Sequence, residues 1–358
     1  MEQRIKEIDY IRAISAMAVI AIHVSATYVE KSNVAYILNQ TSRFAVPMFI
    51  ILSGVSIFMS DKNKPSTAIS FIKKRFGKIL IPYFFWSLLY FIVANRHHII
   101  STDPSSLLRV LIEQLYSGTA YVHLYFLVIM FQLYLIYPYV KKWIVERPIV
   151  MLSTSFILSL VMHLILYLHA LHIVIVPSIG VSYVSIFPVW IFYFVFGTYI
   201  ASNKERLLRK IKDLSLIKLF FVWFFTLMIL IFDSKYTQTY NSSVKPSTIL
   251  YTLLSLVFFY RLFYAFASID SKASAILNWY SAHSFFIYLI HPLIMSLLVI
   301  ATPKIWYGMI GFLLLTVFTL LLSTILTYFC SKFKFIQIIG GVYINPSDQK
   351  KKVLSTEA

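Results

Sequence analysis

IDYIRAISAMAVIAIHVSA, residues 8–26, is the first long apolar segment of this sequence. It is apolar and long enough to cross a bilayer, because a helix needs about 20 residues to span roughly 30 Å of hydrocarbon. Three ionisable residues interrupt it, Asp9, Arg12 and His23. Ionisable side chains inside hydrocarbon are costly, and they usually mark a functional site or have a partner. The segment therefore predicts both a membrane span and a site within it.

The composition of the whole chain is that of an integral membrane protein. Of 358 residues 59% are hydrophobic and 13% are charged, and the mean hydropathy is +0.78. A soluble domain of this length is far less apolar. The net charge of +18 does not predict nucleic-acid binding, because the lysines and arginines fall between apolar stretches and form no patch on a polar domain.

The charge pattern orients the predicted helices. Cytoplasmic segments carry the excess of lysine and arginine. With a cytoplasmic N-terminus, only seven of the 32 basic residues fall on outer segments, namely Lys31, Arg43, Arg96, Arg109, Lys235, Lys245 and Lys304. We therefore predict an all-α integral membrane protein with both termini cytoplasmic, a transmembrane domain over 1–340 and a polar cytoplasmic tail over 341–358. Its ten predicted transmembrane helices lie near 10–28, 44–59, 79–94, 122–140, 149–169, 184–201, 216–232, 248–266, 284–300 and 306–329.

The charges of the first span lie on one helix face. Arg12 and His23 are eleven residues apart, which leaves their side chains about 20° apart around the helix and about 16 Å apart along its axis. Asp9 precedes Arg12 by three residues and can pair with it. The predicted orientation puts Arg12 at the cytoplasmic mouth, where it can hold an anionic group, and His23 deeper, where it can accept a proton. The alternative is a snorkelling arginine and a packing histidine.

Five stretches carry a resemblance to a known family. The first span has the pattern D-x-x-R-x10-H, and the others are SRFAVPMFIILSG (42–54), RFGKILIPYFFW (75–86), VHLYFLVIMFQLYLIYP (122–138) and SAHSFFIYLIHP (281–292). In this order they resemble the membrane-bound acyltransferase type 3 family, which moves acyl groups onto hydroxyls of extracytoplasmic sugars and other acceptors. The pattern is most similar to the branches that O-acetylate enterobacterial common antigen and that serve synthesis of the intercellular adhesin, poly-N-acetylglucosamine.

The resemblance implies a bacterial plasma-membrane enzyme. It implies transfer of an acyl group, acetyl from acetyl-CoA, to a hydroxyl of a surface polysaccharide or lipid-linked glycan, with acyl-CoA as a substrate and no permanently bound cofactor. His23 is then the general base or a transient acyl carrier, and Arg12 neutralises donor phosphates. Arg75 and Lys78 occupy positions where the family often has Arg-x-x-Arg. Lysine at position 78 keeps the positive charge, but it cannot bind two phosphate oxygens in parallel as a guanidinium group can.

Further candidates lie on the predicted outer side or within later spans. Arg43 and His123 open the second and fourth spans from outside, where they can meet a sugar or anchor the interface. His291 stands before a proline in the ninth span, where a kink can expose it to a cavity or where it can simply pack. Gly54 predicts a close helix contact. The spacing of the histidines predicts no metal site.

The sequence lacks several catalytic motifs, and it leaves alternative functions open. The sequence has no G-x-S-x-G elbow, Walker A motif or G-x-G-x-x-G motif, so hydrolase, ATP-driven and dinucleotide chemistry lack support. An exporter of polysaccharide or glycolipid that does no chemistry fits the aromatic helices and basic cytoplasmic face equally well. A scaffold for a polysaccharide synthase complex is a third possibility. Predicted partners are acyl-CoA, a glycan acceptor, the bilayer and such a complex, with no nucleic acid.

Overall fold

Helices account for all the regular structure in the part of the chain that the computed structural model describes, which is residues 5–63, 67–96, 103–266 and 271–340. Three short 3₁₀ turns, Ser42–Phe44, Tyr183–Ser185 and Pro303–Ile305, accompany the α-helices. The α-helices in these ranges are α1 (Lys6–Ala26), α2 (Asn33–Thr41), α3 (Ala45–Asn63), α4 (Ala68–Asn95), α5 (Pro104–Ser117), α6 (Tyr125–Glu146), α7 (Pro148–Ala170), α8 (Phe187–Ser202), α9 (Lys204–Lys212), α10 (Leu216–Thr237), α11 (Pro246–Phe266), α12 (Ser271–Ala301), α13 (Gly308–Cys330) and α14 (Lys334–Gly340).

Within the described ranges, nine helical segments are long and apolar enough to cross a membrane. They are α1, the stretch from α2 through α3, α4, α7, α8 with its preceding turn, and α10 to α13. The one predicted span that is not among these nine, the fourth at 122–140, is α6, whose 22 residues suffice in length but include four tyrosines, a glutamine and two lysines. The all-α membrane fold is thus confirmed. The side on which each terminus lies remains a prediction from the charges, and the predicted tail 341–358 falls outside the described residues.

Short helices occupy several segments between the predicted spans. The clearest is α5, in the long outer segment, which begins with a proline and is capped by Asp103. The Asp103 carboxylate accepts hydrogen bonds from the Ser105 hydroxyl and the Ser106 amide, and these lower the pKa of its carboxyl group. The helix ends at Gly118, whose φ of 75° is the left-handed conformation that glycine adopts without strain. Local capping signals thus define this helix at both ends.

α3 and α8 pack backbone against backbone. A Cβ added to Gly54 would lie 2.4 Å from the carbonyl oxygen of Phe194, and a Cβ added to Gly197 would lie 2.0 Å from that of Ile51. Real Cβ atoms do not approach an oxygen so closely, so the contact requires glycine on both helices. Small residues allow this approach between membrane helices. The close contact predicted at Gly54 is confirmed, and it fixes α3 beside α8.

α12 continues through Pro292 with help from α4. A proline removes one backbone donor from the helical hydrogen-bond ladder. One residue further on, the Tyr90 hydroxyl enters the ladder, where it donates to the Leu289 carbonyl (2.7 Å) and accepts from the Leu293 amide (3.1 Å). These two backbone groups bond each other directly in a regular helix. The hydroxyl therefore links the two backbone groups in place of their direct hydrogen bond, and it fixes the local geometry of α12 at His291.

Gly197→Ala is expected to destabilise the protein, because the added methyl group collides with the backbone of α3. Overpacking of this kind costs about 1–3 kcal/mol. The melting temperature of the detergent-purified protein should fall. Gly77→Ala on α4 is the matched control, since its Cβ would meet only the Ile81 Cδ1 atom at 3.9 Å. An unchanged melting temperature for Gly197→Ala would contradict the backbone contact.

Tyr90→Phe is expected to destabilise the protein by about 1–3 kcal/mol, because it leaves a buried carbonyl and a buried amide unpaired. The measurement is again thermal unfolding in detergent. Tyr139→Phe, at a side chain that is 71% exposed on α6, should have little effect. If the two variants unfold alike, the Tyr90 hydroxyl does not support the ladder of α12.

Candidate active site

A cavity of about 1070 Å³ opens among α1, α3, α4, α6, α12 and α13, and we call it the main cavity. Its charged lining comes from the end of the bundle at which α1 begins, where Arg12, Arg75 and Lys78 lie. Its apolar lining includes Phe49 and Leu127, from the first turns of α3 and α6, which start at the opposite end. The cavity therefore extends deep into the bundle. Its volume is at the upper end of the usual range for small-molecule sites.

Arg12 is held in place by polar groups of α1 and α3, among them the Leu52 carbonyl oxygen at 3.5 Å. Its Nη1 atom lies 3.3 Å from Asp9 Oδ1, and its Nη2 atom lies 2.5 Å from the Ser56 hydroxyl of α3. Asp9 also accepts a hydrogen bond from Ser281 of α12 at 3.2 Å. The side chain of Asp9 is 6% exposed and that of Arg12 is 23% exposed. The pair predicted from the three-residue spacing is therefore present, and it fixes a positive charge on the wall of the main cavity.

The structure adds further cations to the same cavity. Arg75 and Lys78 line it from α4, and Lys332 lines it from the end of α13. The Nε atom of Arg75 is buried and has no hydrogen-bond partner within the described residues. An unpaired guanidinium nitrogen is costly, and an anionic oxygen would satisfy it. Lys332 was not predicted as a site residue, because it lies among the basic residues expected for any cytoplasmic segment.

His23, His123 and His291 form a cluster. Their ring centroids are 5.1 Å apart for His23 and His291, 5.8 Å for His123 and His291, and 6.2 Å for His23 and His123. They come from α1, the turn before α6, and α12. His123 and His291 are buried, whereas His23 is partly exposed. The fold thus brings together three histidines that are far apart in the sequence.

Several ring nitrogens of this cluster are unsatisfied. His291 Nδ1 lies 3.0 Å from the carbonyl oxygen of Ile287, so Nδ1 carries the hydrogen and Nε2 is left as an acceptor. That Nε2 atom and both ring nitrogens of His123 have no hydrogen-bond partner within the described ranges. Buried polar atoms without partners are unfavourable, so the cluster suits a ligand that brings hydroxyl groups. No described group of three His, Cys, Asp or Glu residues is arranged to hold a metal ion.

An aromatic partition separates the main cavity from the histidine cluster. Phe126 and Tyr288 line the cavity, and their rings are 5.3 Å apart. The Tyr288 ring also lies 5.1 Å from the ring of His123, and its hydroxyl donates to the His123 carbonyl. His23 is not among the described residues that line the cavity. Of the two residues predicted on one face of α1, Arg12 therefore lines the main cavity, whereas His23 lies with the histidine cluster, and the joint role predicted for them stays a prediction.

Arg43 is bound to the loop between α10 and α11. Its Nε atom donates to Asn39 Oδ1 at 2.9 Å, and its Nη1 and Nη2 atoms donate to the carbonyl oxygens of Asn241 (3.1 Å) and Tyr240 (2.5 Å). The neighbouring Lys245 is fully buried, and its ammonium group reaches the Thr239 hydroxyl of the same loop at 3.3 Å. These contacts give Arg43 a structural task, and its predicted contact with a sugar stays a prediction.

Comparison with known proteins agrees with the motifs. A family model described as "Acyltransferase domain" matches residues 5–328, which include Arg12, Arg75, Lys78 and the histidine cluster. A "Probable poly-beta-1,6-N-acetyl-D-glucosamine export protein" of Staphylococcus epidermidis is 26% identical over 309 residues, covering 83% of this chain and 82% of its own length. A protein of the same description from Staphylococcus aureus strain N315 is 26% identical, with coverages of 81% and 82%.

No solved structure matches the chain. The family match nevertheless extends from the first residue that the structure describes almost to the end of α13. It covers the helices that line the main cavity and those that carry the histidines. This multi-pass membrane protein therefore belongs to the membrane-bound acyltransferase family that its sequence motifs resemble.

Proposed function

We propose that this protein is an O-acyltransferase of the bacterial plasma membrane, which moves an acyl group from acyl-CoA to a hydroxyl of an extracytoplasmic polysaccharide or lipid-linked glycan. One observation carries the proposal: a deep cavity with cations at one end is lined farther in by the ring of Tyr288, which packs against two of the three clustered histidines, His123 and His291. An acyl-CoA has a similar division, with phosphates at one end, a flexible arm, and a reactive thioester at the other.

The donor enters with its phosphates against the basic lining. Arg12, Arg75 and Lys78 neutralise the phosphates, and each guanidinium can bind two oxygens at once. The apolar lining from Phe49, Leu127 and neighbouring side chains accommodates the arm of the donor. Rotation of the Tyr288 ring then lets the thioester reach the histidine cluster. The cluster lies toward the predicted outer side, from which the acceptor hydroxyl arrives.

His23 removes the proton of the acceptor hydroxyl, and the oxygen attacks the thioester carbonyl carbon. The carbon–sulfur bond breaks, and the proton passes to the sulfur, so the products are an ester and coenzyme A. In the second route the His23 imidazole attacks the carbonyl carbon first, the carbon–sulfur bond breaks, and coenzyme A leaves with the ring proton. The acceptor hydroxyl then attacks the acyl-imidazole, the carbon–nitrogen bond breaks, and the hydroxyl proton returns to the ring. His123 and His291 orient the acceptor through the ring nitrogens that are otherwise unpaired.

Export of a glycan without chemistry is the rival function, and the names of the staphylococcal relatives favour it. A polymer exporter needs a continuous route across the bundle. In the described structure the main cavity is lined by Tyr288 and Phe126, and none of the three clustered histidines is among its lining residues. Export also gives no role to the unpaired nitrogens of the buried histidines. A scaffold for a synthase complex leaves both the cavity and the cluster without a purpose. The geometry therefore supports acyl transfer better than either alternative.

His23→Ala is expected to lower acyl transfer by about 10²- to 10⁴-fold, because the general base is lost. Mass spectrometry of surface glycan should show the acyl group missing, while the amount of polymer outside the cell stays normal. His169→Ala, at an exposed histidine at the end of α7, is the matched control and should leave the glycan unchanged. Polymer retained inside the His23→Ala cells with its acyl content intact would instead favour export.

Arg75→Gln is expected to raise the KM for acyl-CoA by roughly tenfold or more, because a charge-assisted bond to phosphate is lost. The measurement is transfer to a soluble sugar by protein in vesicles. Lys73→Gln removes the same charge from the same helix at an exposed position that is not part of the cavity lining, and should change the KM little. Equal effects in the two variants would point to membrane topology and away from donor binding.

A further inference from the structure

Trp279 and His283 form a stacked aromatic pair on α12. Their ring centroids are 4.4 Å apart, and the ring planes differ by 25°. Residues four apart lie on one face of a helix, and both side chains line the main cavity and are half-buried. His283 Nδ1 lies 2.8 Å from the Trp279 carbonyl oxygen, which holds the imidazole in this orientation. A flat aromatic surface with a fixed position is thus part of the cavity wall.

The groups around this pair are amides and a cation. Asn278, the residue before Trp279, lines the same cavity, as do Lys332, which follows α13, and Gln337 of α14. The amide of Gln337 is oriented by a hydrogen bond of 2.8 Å to the Ser331 carbonyl. Side-chain amides both donate and accept hydrogen bonds, as the edge of a heterocyclic base does. An aromatic surface beside amides and cations is therefore suited to a nucleotide.

We infer that the Trp279–His283 pair binds the base of the donor nucleotide. The protein then selects acyl-CoA over acyl donors that carry pantetheine alone. The inference rests on the proposed acyltransferase function. The base stacks on the pair, and the phosphates lie among Lys332, Arg75 and Lys78. The acyl arm then runs inward along α12 to the partition.

The length of α12 fits this arrangement. Trp279 and Tyr288 are nine residues apart on the same helix, which separates them by about 14 Å along its axis. A donor that is recognised at Trp279 and reacts beyond Tyr288 must therefore carry its acyl group on an extended arm. A phospholipid headgroup or free phosphate would satisfy the cations but has no ring to stack on the aromatic pair. Coenzyme A thioesters combine the base, the phosphates and the arm.

The test compares two donors with one thioester: acetyl-CoA, and acetyl-pantetheine, which lacks the nucleotide. The full-length protein in vesicles transfers acetyl to a soluble sugar. Trp279→Ala should raise the KM for acetyl-CoA on the order of tenfold to a hundredfold, the effect of losing one base stack. The KM for acetyl-pantetheine and both kcat values should not change. Trp279→Phe should restore most of the affinity, because a phenyl ring still stacks.

Trp143→Ala is the control, since Trp143 is 44% exposed on α6 and is not part of the cavity lining. An unchanged KM for acetyl-CoA in Trp279→Ala, or an equal rise of the KM for both donors, would overturn the proposal that the base binds at this pair. Calorimetric binding of coenzyme A separates this failure from that of the proposed function. If coenzyme A binds in a way that depends on Trp279 but no acetyl transfer occurs, base binding at this pair is supported and the proposed acyltransferase function is refuted. The absence of both binding and transfer would overturn both.

Discussion

Arg12 is stable within the membrane domain because Asp9 lies beside it. A guanidinium in a poorly hydrated region needs a counter-charge and hydrogen bonds, and here Asp9 and Ser56 supply both. Asp9 in turn accepts a hydrogen bond from Ser281, so the ion pair within α1 is hydrogen-bonded to α3 through Ser56 and to α12 through Ser281. The remaining exposed edge of Arg12 faces that cavity. The charge that stabilises the three-helix contact is thus also the charge available to an anionic substrate.

α12 connects every part of the candidate site. Its first turns carry the stacked pair at Trp279, and the next turns carry Ser281, which binds Asp9. Tyr288 forms the partition, and His291 belongs to the histidine cluster. These residues follow one another along a single helix, so their spacing is fixed by helix geometry. The Tyr90 hydroxyl stabilises the helix just where the proline weakens it. The site therefore depends on the straightness of one helix over much of its length.

The sequence was sufficient where the signal is local or compositional. Apolar length predicts the spans, the three-residue spacing predicts the pair of Asp9 with Arg12, and a glycine predicts close packing at Gly54. Contacts between distant segments have no such signal. The motifs drew attention to His123 as a candidate, but no periodicity relates it to the other histidines. Tyr288 is one of 25 tyrosines in the chain, and only the fold distinguishes it as a partition.

The partition bears on how an acyltransferase family has relatives that are named for export. A thioester must be kept from water until the acceptor hydroxyl is in place, because water is a competing nucleophile. Under the proposed function, the rings of Phe126 and Tyr288 between the main cavity and the histidine cluster provide this exclusion. A passage for a polymer requires the opposite, a continuous hydrated opening. A side-chain rotation at Tyr288 is enough for a slender acyl arm to pass, whereas a sugar chain needs the helices themselves to separate. The packing of Gly54 against α8 and of Ser281 against Asp9 opposes such a separation.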